Sequence, residues 1–208
     1  KAIKNCGKNI TLILNADDPL VAQFEKTTGL PVLFYGLSGS ECSAKAGSQA
    51  REAQYCPLCG SPLGYDFYHY GQLGRYHCDG CGFTRPVAAV EGDKTRINGS
   101  VTGCLLHFDR REAMLTLQIK GLYNLYNALA AFTVGLHLGV DVQLMLESLQ
   151  NYRPAPGRLE RFTFQGRSAY LVLVKNPTGF NEGLADLRRA KGVKSVFFAI
   201  NDNDADGK

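Results

Sequence analysis

Four cysteines carry the clearest chemistry in this chain. Cys56-Pro-Leu-Cys59-Gly60 and Cys78-Asp-Gly-Cys81-Gly82 are two Cys-x-x-Cys pairs of the same form, with 18 residues between Cys59 and Cys78. Each such turn aims two sulfurs inward. Two turns at this spacing close four thiolates around one tetrahedral zinc. The glycine after each second cysteine suits a tight knuckle, where positive φ is cheap only without a Cβ. Four thiolates saturate the metal and leave no open position. The expectation is therefore a structural zinc site at Cys56, Cys59, Cys78 and Cys81, with no catalytic role. Cys6, Cys42 and Cys104 have no paired spacing and read as small buried hydrophobes in a reducing compartment. His107 lies three residues from Cys104, which on a strand puts the two on opposite faces. No Cys–His nucleophile is expected.

The second chemical pattern is Gly121-Leu-Tyr-Asn124-Leu-Tyr-Asn127-Ala-Leu-Ala-Ala131. Its two asparagines fall on one side of the first turns of a helix. An asparagine amide offers both donor and acceptor, which suits the edge of an adenine ring. A plainer reading fits the same residues, with Asn124 as a helix cap and Asn127 as an exposed polar side chain.

These patterns need elements to hold them. Residues 10–16 read as a buried strand, a short apolar run without alternation. Asp17-Asp18-Pro19 opens a helix that ends near Gly29, and Pro31–Tyr35 forms the next strand. Strand, helix, strand favours a parallel sheet covered by helices. The Ser/Gly/Ala-rich stretch 38–54 leads into a cysteine module over 54–86, rich in aromatics (Tyr65, Phe67, Tyr68, Tyr70, Tyr76, Phe83). We read it as a zinc ribbon inserted in a larger domain. Strands over 101–108 and 113–119 make a hairpin joined by residues 109–112. Apolar periodicity places a helix over 122–138, stopped by Gly139, and Asp141 caps another to about Gln150. A Pro/Gly segment around Pro154–Arg158 reads as an interdomain hinge. Strands near 160–165 and 169–174, a helix near 180–190 and a strand at 194–200 begin a second α/β domain.

The composition is that of an ordinary globular chain: 208 residues, 45% apolar, 20% charged, net charge +4. No apolar run is long enough to span a membrane, and the first residues lack the apolar core of a signal peptide. Both ends read as cut from a longer protein.

Asn15-Ala-Asp-Asp-Pro, then Gly-x-x-Asn-x-x-Asn-Ala-Leu-Ala-Ala, then Pro-Ala-Pro-Gly-Arg158-Leu-Glu160 occur in one order. Together they resemble the Mur ligase family, ATP-dependent enzymes that join amino acids to peptidoglycan precursors. Departures from that family are Tyr123 where a His is usual, the four-cysteine ribbon, Lys175-Asn-Pro-Thr-Gly-Phe-Asn181, and Asn-Asp-Asn-x-Ala-Asp-Gly at 201–207. They are similar to the branch of the family that amidates lipid II. The resemblance implies an α/β fold: a central nucleotide-binding domain over 1–152, partial and carrying the ribbon, then a partial Rossmann-like C-terminal domain over 153–208. It implies that ATP phosphorylates the α-carboxylate of D-glutamate in the lipid II stem peptide, and that ammonia from a glutaminase subunit, GatD, then forms D-isoglutamine. ATP, Mg2+ and structural zinc follow as cofactors, and the cytoplasmic face of the membrane as the place of action.

By position in the family pattern, Asn127 would contact adenine with Asn124 supporting it. Arg158 would reach ribose or phosphates, and Asn176 and Asn181 would sit on a loop facing the nucleotide. From the residues alone, Arg158 also reads as a hinge-surface arginine, and the two asparagines as turn and cap residues. Asp202, Asp204 and Asp206 are weak catalytic candidates that equally fit a solvated acidic loop. Lys1 falls one residue out of register with the family's carbamylated lysine. The phosphate-cradling Gly-Lys-[Ser/Thr] loop is expected upstream of residue 1, and an acidic catalytic residue beyond Lys208. A non-catalytic reading competes, in which the ribbon binds nucleic acid or protein. Against nucleic acid, residues 56–85 hold Asp66 and Asp79 against Arg75 and Arg85, a net charge of zero.

Overall fold

Asn15 begins the turn that organises one end of the molecule. Its Oδ1 accepts from the Asp17 amide at 3.0 Å, which breaks strand β1 (Leu12–Asn15) into a sharp corner. Asp18 is the N-cap of the helix that follows, its Oδ1 accepting from the Leu20 amide at 2.9 Å, with Pro19 in the first turn. The single helix expected here is two short ones, α1 (Pro19–Ala22) and α2 (Phe24–Thr28), divided at Gln23. The Gln23 side chain turns back to donate to the Leu20 carbonyl at 2.9 Å, which closes the first turn on itself. Gly29, at φ 67°, ends α2 and leads to β2 (Val32–Leu37), which pairs parallel to β1.

This computed structural model describes residues 9–39, 53–153 and 160–174, with Ile3 and short stretches between 179 and 199. Lys1, Cys6, Cys42, most of the 38–54 segment, the 154–158 hinge with Arg158, and Asn176, Asn181, Asp202, Asp204 and Asp206 lie outside those residues. The chain forms two units, Lys1–Pro154 and Ala155–Lys208.

The sheet of the first unit is mixed, not wholly parallel: β1 and β2 are followed in it by Val90–Asn98 (β5), Val101–Phe108 (β6) and Arg111–Leu117 (β7). Strand β5 (Val90–Asn98) pairs parallel to β2 and antiparallel to β6 (Val101–Phe108), and β7 (Arg111–Leu117) closes the hairpin. Nothing in the local sequence announces β5. Its Glu91-Gly-Asp-Lys94 stretch has poor strand propensity, and a shift between Asp93 and Arg96 interrupts its register. Pairing on both sides overrides those preferences. The β6–β7 turn is also tighter than residues 109–112 suggest. Asp109 and Arg110 take φ of 45° and 60°, the two-residue turn whose twist matches a hairpin. Along β6 burial alternates strictly, so Cys104 faces the core and His107 the outside, as the period of two requires.

Helix α3 (Leu122–His137) lies across β1, β2, β5 and β6. Leu125, Leu129 and Phe132 meet Leu37, Val90, Leu106 and Leu115 in the main core. Helix α4 (Val142–Asn151) starts at Asp141, whose Oδ1 accepts from the Leu144 amide at 2.9 Å, and packs on β7 and α3.

Residues 53–86 stand between β2 and β5. They form a hairpin, β3 (Gly64–Tyr70) and β4 (Leu73–His77), flanked by the two cysteine knuckles. The knuckle end shares a core with Val32 and Phe34 of β2, through Tyr76 and Phe83. The hairpin tip contributes Leu73 and Tyr70 to the core under α3. The module therefore packs along β2 and reaches the corner after β1.

In the second unit β8 (Glu160–Phe164) and β9 (Arg167–Leu171) form an antiparallel hairpin. Described residues at 179–180, 183–184 and 187–188 are helical. The strand expected at 194–200 is not formed at 193–199. An apolar run is legible in sequence, but a strand also needs a hydrogen-bonded neighbour, and 193–199 has none among the described residues.

Candidate functional site

The two knuckles are built identically. Cys56 donates its amide to Ser61 O at 2.7 Å and accepts from the Gly60 amide at 2.9 Å; Cys78 does the same with Phe83 and Gly82 at 2.7 and 2.9 Å. Gly60 and Gly82 take φ of 78° and 73°, so the sequence expectation for these glycines is met. The four sulfurs all lie within 4.8 Å of one another. Cys56–Cys81, Cys59–Cys78 and Cys78–Cys81 are 3.6, 3.5 and 3.7 Å apart. A tetrahedron of zinc–sulfur bonds of about 2.3 Å has edges of about 3.8 Å. The cluster fits such an ion. Hydrogen bonds from Ser61 pull the Cys59 thiol down to about 6, whereas burial pushes the Cys78 thiol up.

Of the described candidate residues, Asn124 and Asn127 open α3. The helix starts at Gly121, whose φ is 113° and which offers no side-chain cap. The Asn124 side chain instead donates to Lys120 O at 2.8 Å, stitching the turn before the helix. Asn127 is exposed. The cysteine cluster and the asparagines are not in contact in any described interaction.

What joins them is a set of buried polar residues around Asp17. This side chain is fully buried. Its Oδ1 accepts from Arg85 Nε at 2.5 Å, and its Oδ2 accepts from the Leu37 amide at 2.7 Å and from the Tyr126 hydroxyl at 2.6 Å. Arg85 Nη2 donates to Glu91 at 2.9 Å and to Leu37 O at 3.2 Å. Burial disfavours the charge on Arg85, but Asp17 and Glu91 outweigh it and raise its pKa. Burial, reinforced by the negative charge of Asp17, holds the Tyr126 phenol protonated and a donor. Gly36 makes room: a Cβ there would stand 2.7 Å from Arg85 Nη2 and 2.9 Å from Asp17 Oδ1. The module's hairpin tip closes the other side, where Gly74 donates to Asp17 O at 2.9 Å and Gln72 to Asp18 at 3.3 Å.

Sequence reasoning missed Arg85, Tyr126, Gly36 and Glu91, and took Asp17 as part of a helix cap. One signal was available. Two successive aspartates compete for one capping position, so one of them needs another role.

Residues 173–208 match the family model described as MurT ligase C-terminal. The MurT subunit of lipid II isoglutaminyl synthase from Staphylococcus aureus (strain COL) is 36% identical over 202 residues, 97% of this chain and 44% of that protein. The MurT subunit from Streptococcus pneumoniae (strain ATCC BAA-255 / R6) is 32% identical over 207 residues, 95% and 43% respectively. The chain thus spans less than half the length of these relatives. Among solved structures, a pseudomurein peptide ligase type C from Methanothermus fervidus is 31% identical with a TM-score of 0.67, over 81% of this chain and 32% of that one. MurF from Acinetobacter baumannii, 16% identical with a TM-score of 0.59 over 92% of this chain and 32% of that one, shares the fold. By these matches and the motifs that open α1 and α3, the chain belongs to the Mur ligase family and is similar within it to the MurT subunits.

Proposed function

We propose that this chain is part of an ATP-dependent ligase that amidates the α-carboxylate of D-glutamate in the lipid II stem peptide. A carboxylate oxygen attacks the γ-phosphorus of ATP and ADP leaves. Ammonia then attacks the acyl carbon, phosphate leaves, and a proton is lost from nitrogen to give D-isoglutamine. A glutaminase subunit of the GatD kind supplies the ammonia, and Mg2+ accompanies the nucleotide. The reaction is placed at the cytoplasmic face of the membrane that holds lipid II; among the described residues no helix is long and apolar enough to cross it.

The observation that carries this reading is the start of α3. Asn127 is exposed there while its neighbour Asn124 is held by Lys120 O, so one amide is free to read a purine edge and the other is spent on the turn. Arg158, Asn176 and Asn181 are assigned to the nucleotide by their place in the family pattern, with Asp202, Asp204 and Asp206 as candidates for the ammonia side of the active site. The four cysteines hold one zinc in the zinc-ribbon manner, a structural ion with no open coordination position.

The test is Asn127→Ala in the full-length protein. Losing a paired amide is expected to raise the KM for ATP about tenfold with the metal retained. An unchanged KM removes Asn127 from the site. The nucleic-acid reading is weakened further by the fold: one of the module's two arginines in 56–85, Arg85, is buried against Asp17 and unavailable to phosphate.

A further inference from the structure

The metal cluster and the helix that opens with the two asparagines belong to different parts of the fold, yet a short, unbroken path of packed and hydrogen-bonded residues joins them. It begins in the second knuckle. Cys78 donates to Phe83 O, which fixes the chain leaving Cys81. His77 and Thr84 form an isolated bridge, and the Arg85 amide donates to Tyr76 O at 3.1 Å. The Tyr76 ring packs on Phe83, centroids 5.3 Å apart, in the same small core as Cys56 and Cys78. Arg85 is thus four residues beyond a metal ligand, with its backbone held by the knuckle. Its guanidinium leaves the module and enters the body of the protein, to Asp17. Asp17 in turn holds the hydroxyl of Tyr126, which lies one residue before Asn127 on α3. Tyr70 of the hairpin tip also sets its ring edge against Tyr126, at 5.8 Å.

We propose that Arg85 is a positioning residue which couples the metal-bound module to the nucleotide site, acting through Asp17 and Tyr126 on the first turns of α3. The proposal rests on the metal and nucleotide readings above. Without the metal the second knuckle is closed only by its backbone bonds, Cys78 to Phe83 O and Gly82 to Cys78 O, so it opens more readily. Arg85 then loses its fixed origin. Asp17, fully buried, loses its counter-charge and draws in water or moves. Tyr126 loses the acceptor that orients it, and the start of α3 carries Asn127 with it. Zinc is structural in its chemistry, yet on this path it sets the affinity of a site it never touches.

The test uses hydrogen exchange and ATP binding on the full-length protein, with and without chelation of the metal, in wild type and in Tyr126→Phe. That variant removes one hydroxyl and leaves the Arg85–Asp17 pair in place. In wild type, metal removal is expected to speed exchange of the amides at 125–129 about tenfold and to raise the Kd for ATP about fivefold. In Tyr126→Phe those amides exchange faster from the start, and chelation adds less than twofold. Arg85→Met, where it folds, is expected to keep its metal and show the same insensitivity. Equal acceleration by chelation in wild type and Tyr126→Phe overturns the coupling. So does a metal-free wild type whose amides at 125–129 and ATP affinity are unchanged. Should wild type bind no ATP while the exchange data behave as stated, the coupling of the module to the first turns of α3 stands, and the nucleotide site and the ligase reading fall.

Discussion

Asp17 shows how a single buried charge can be made secure. It accepts from a guanidinium, a backbone amide and a phenol, so both carboxylate oxygens are satisfied without water. The close fit around it has a consequence at Gly36. Gly36→Ala places a methyl against Arg85 and Asp17, and neither can shift without breaking the hydrogen bonds that hold it. We expect a loss of about 1–3 kcal/mol in denaturant unfolding, with the midpoint shifted and the slope unchanged. His69 lies beside this group, its Nε2 at 3.3 Å from Leu37 O, where a neutral ring donates. Burial lowers its pKa, since the charged ring loses water, although Asp17 pulls the other way. The unfolded chain therefore takes up the proton first. Stability from this group is intact above the ordinary histidine range and falls as pH drops below about 6.5 towards the lowered folded value. His69→Gln, which retains a donor, is expected to flatten the unfolding free energy between pH 6.5 and pH 5. A slope identical to wild type would show that other groups set it.

At the scale of elements, the α3–α4 contact depends on a close approach. Gly135 of α3 faces the Met145 sulfur of α4 with no room for a Cβ. Gly135→Ala forces Met145 out of its place, and because a methionine side chain can bend aside, the cost is expected to be about 1–2 kcal/mol. The change should appear as a lower Tm with the exchange protection of the first turns of α3 preserved, since Asp17 holds those turns through Tyr126. The cysteine module is an element of another kind. It buries Tyr76 of the hairpin and Phe83 of the second knuckle around the sulfurs, but Tyr70 leaves that small core for α3. The aromatics of 54–86 thus serve two cores. A module that only wrapped its own metal would have no use for Tyr70 or Arg85 in those places.

For the whole molecule, the metal is expected to report as folding energy. Metal removal should lower the Tm in proportion to free metal, and Cys56→Ser should abolish that dependence while leaving α4 protected in hydrogen exchange. Protection lost across α4 as well would mean that the module and the helical layer fold as one cooperative unit. The corner after β1 stands at the carboxyl ends of two parallel strands, the place where open α/β sheets accommodate ligands. In this protein the module occupies part of that edge, and α3 brings Tyr126 to it from the helical layer.

Local chemistry was enough for several features. The matched Cys-x-x-Cys-Gly pairs foretold both knuckles, because a knuckle is made by neighbours in sequence and its glycines answer a local φ. The Asp141 cap and the apolar stripe of 122–138 foretold α4 and α3 to within a residue or so, for the same reason. Strand β5 could not be read that way, since its polar residues become a strand only between β2 and β6. Nor could the broken helix after Asp18 or the use of Asp17. A carboxylate's role depends on which donors reach it, and Arg85 and Tyr126 stand 68 and 109 residues away along the chain. Tertiary packing alone brings them within hydrogen-bonding distance, and with them the path between the cysteine cluster and α3.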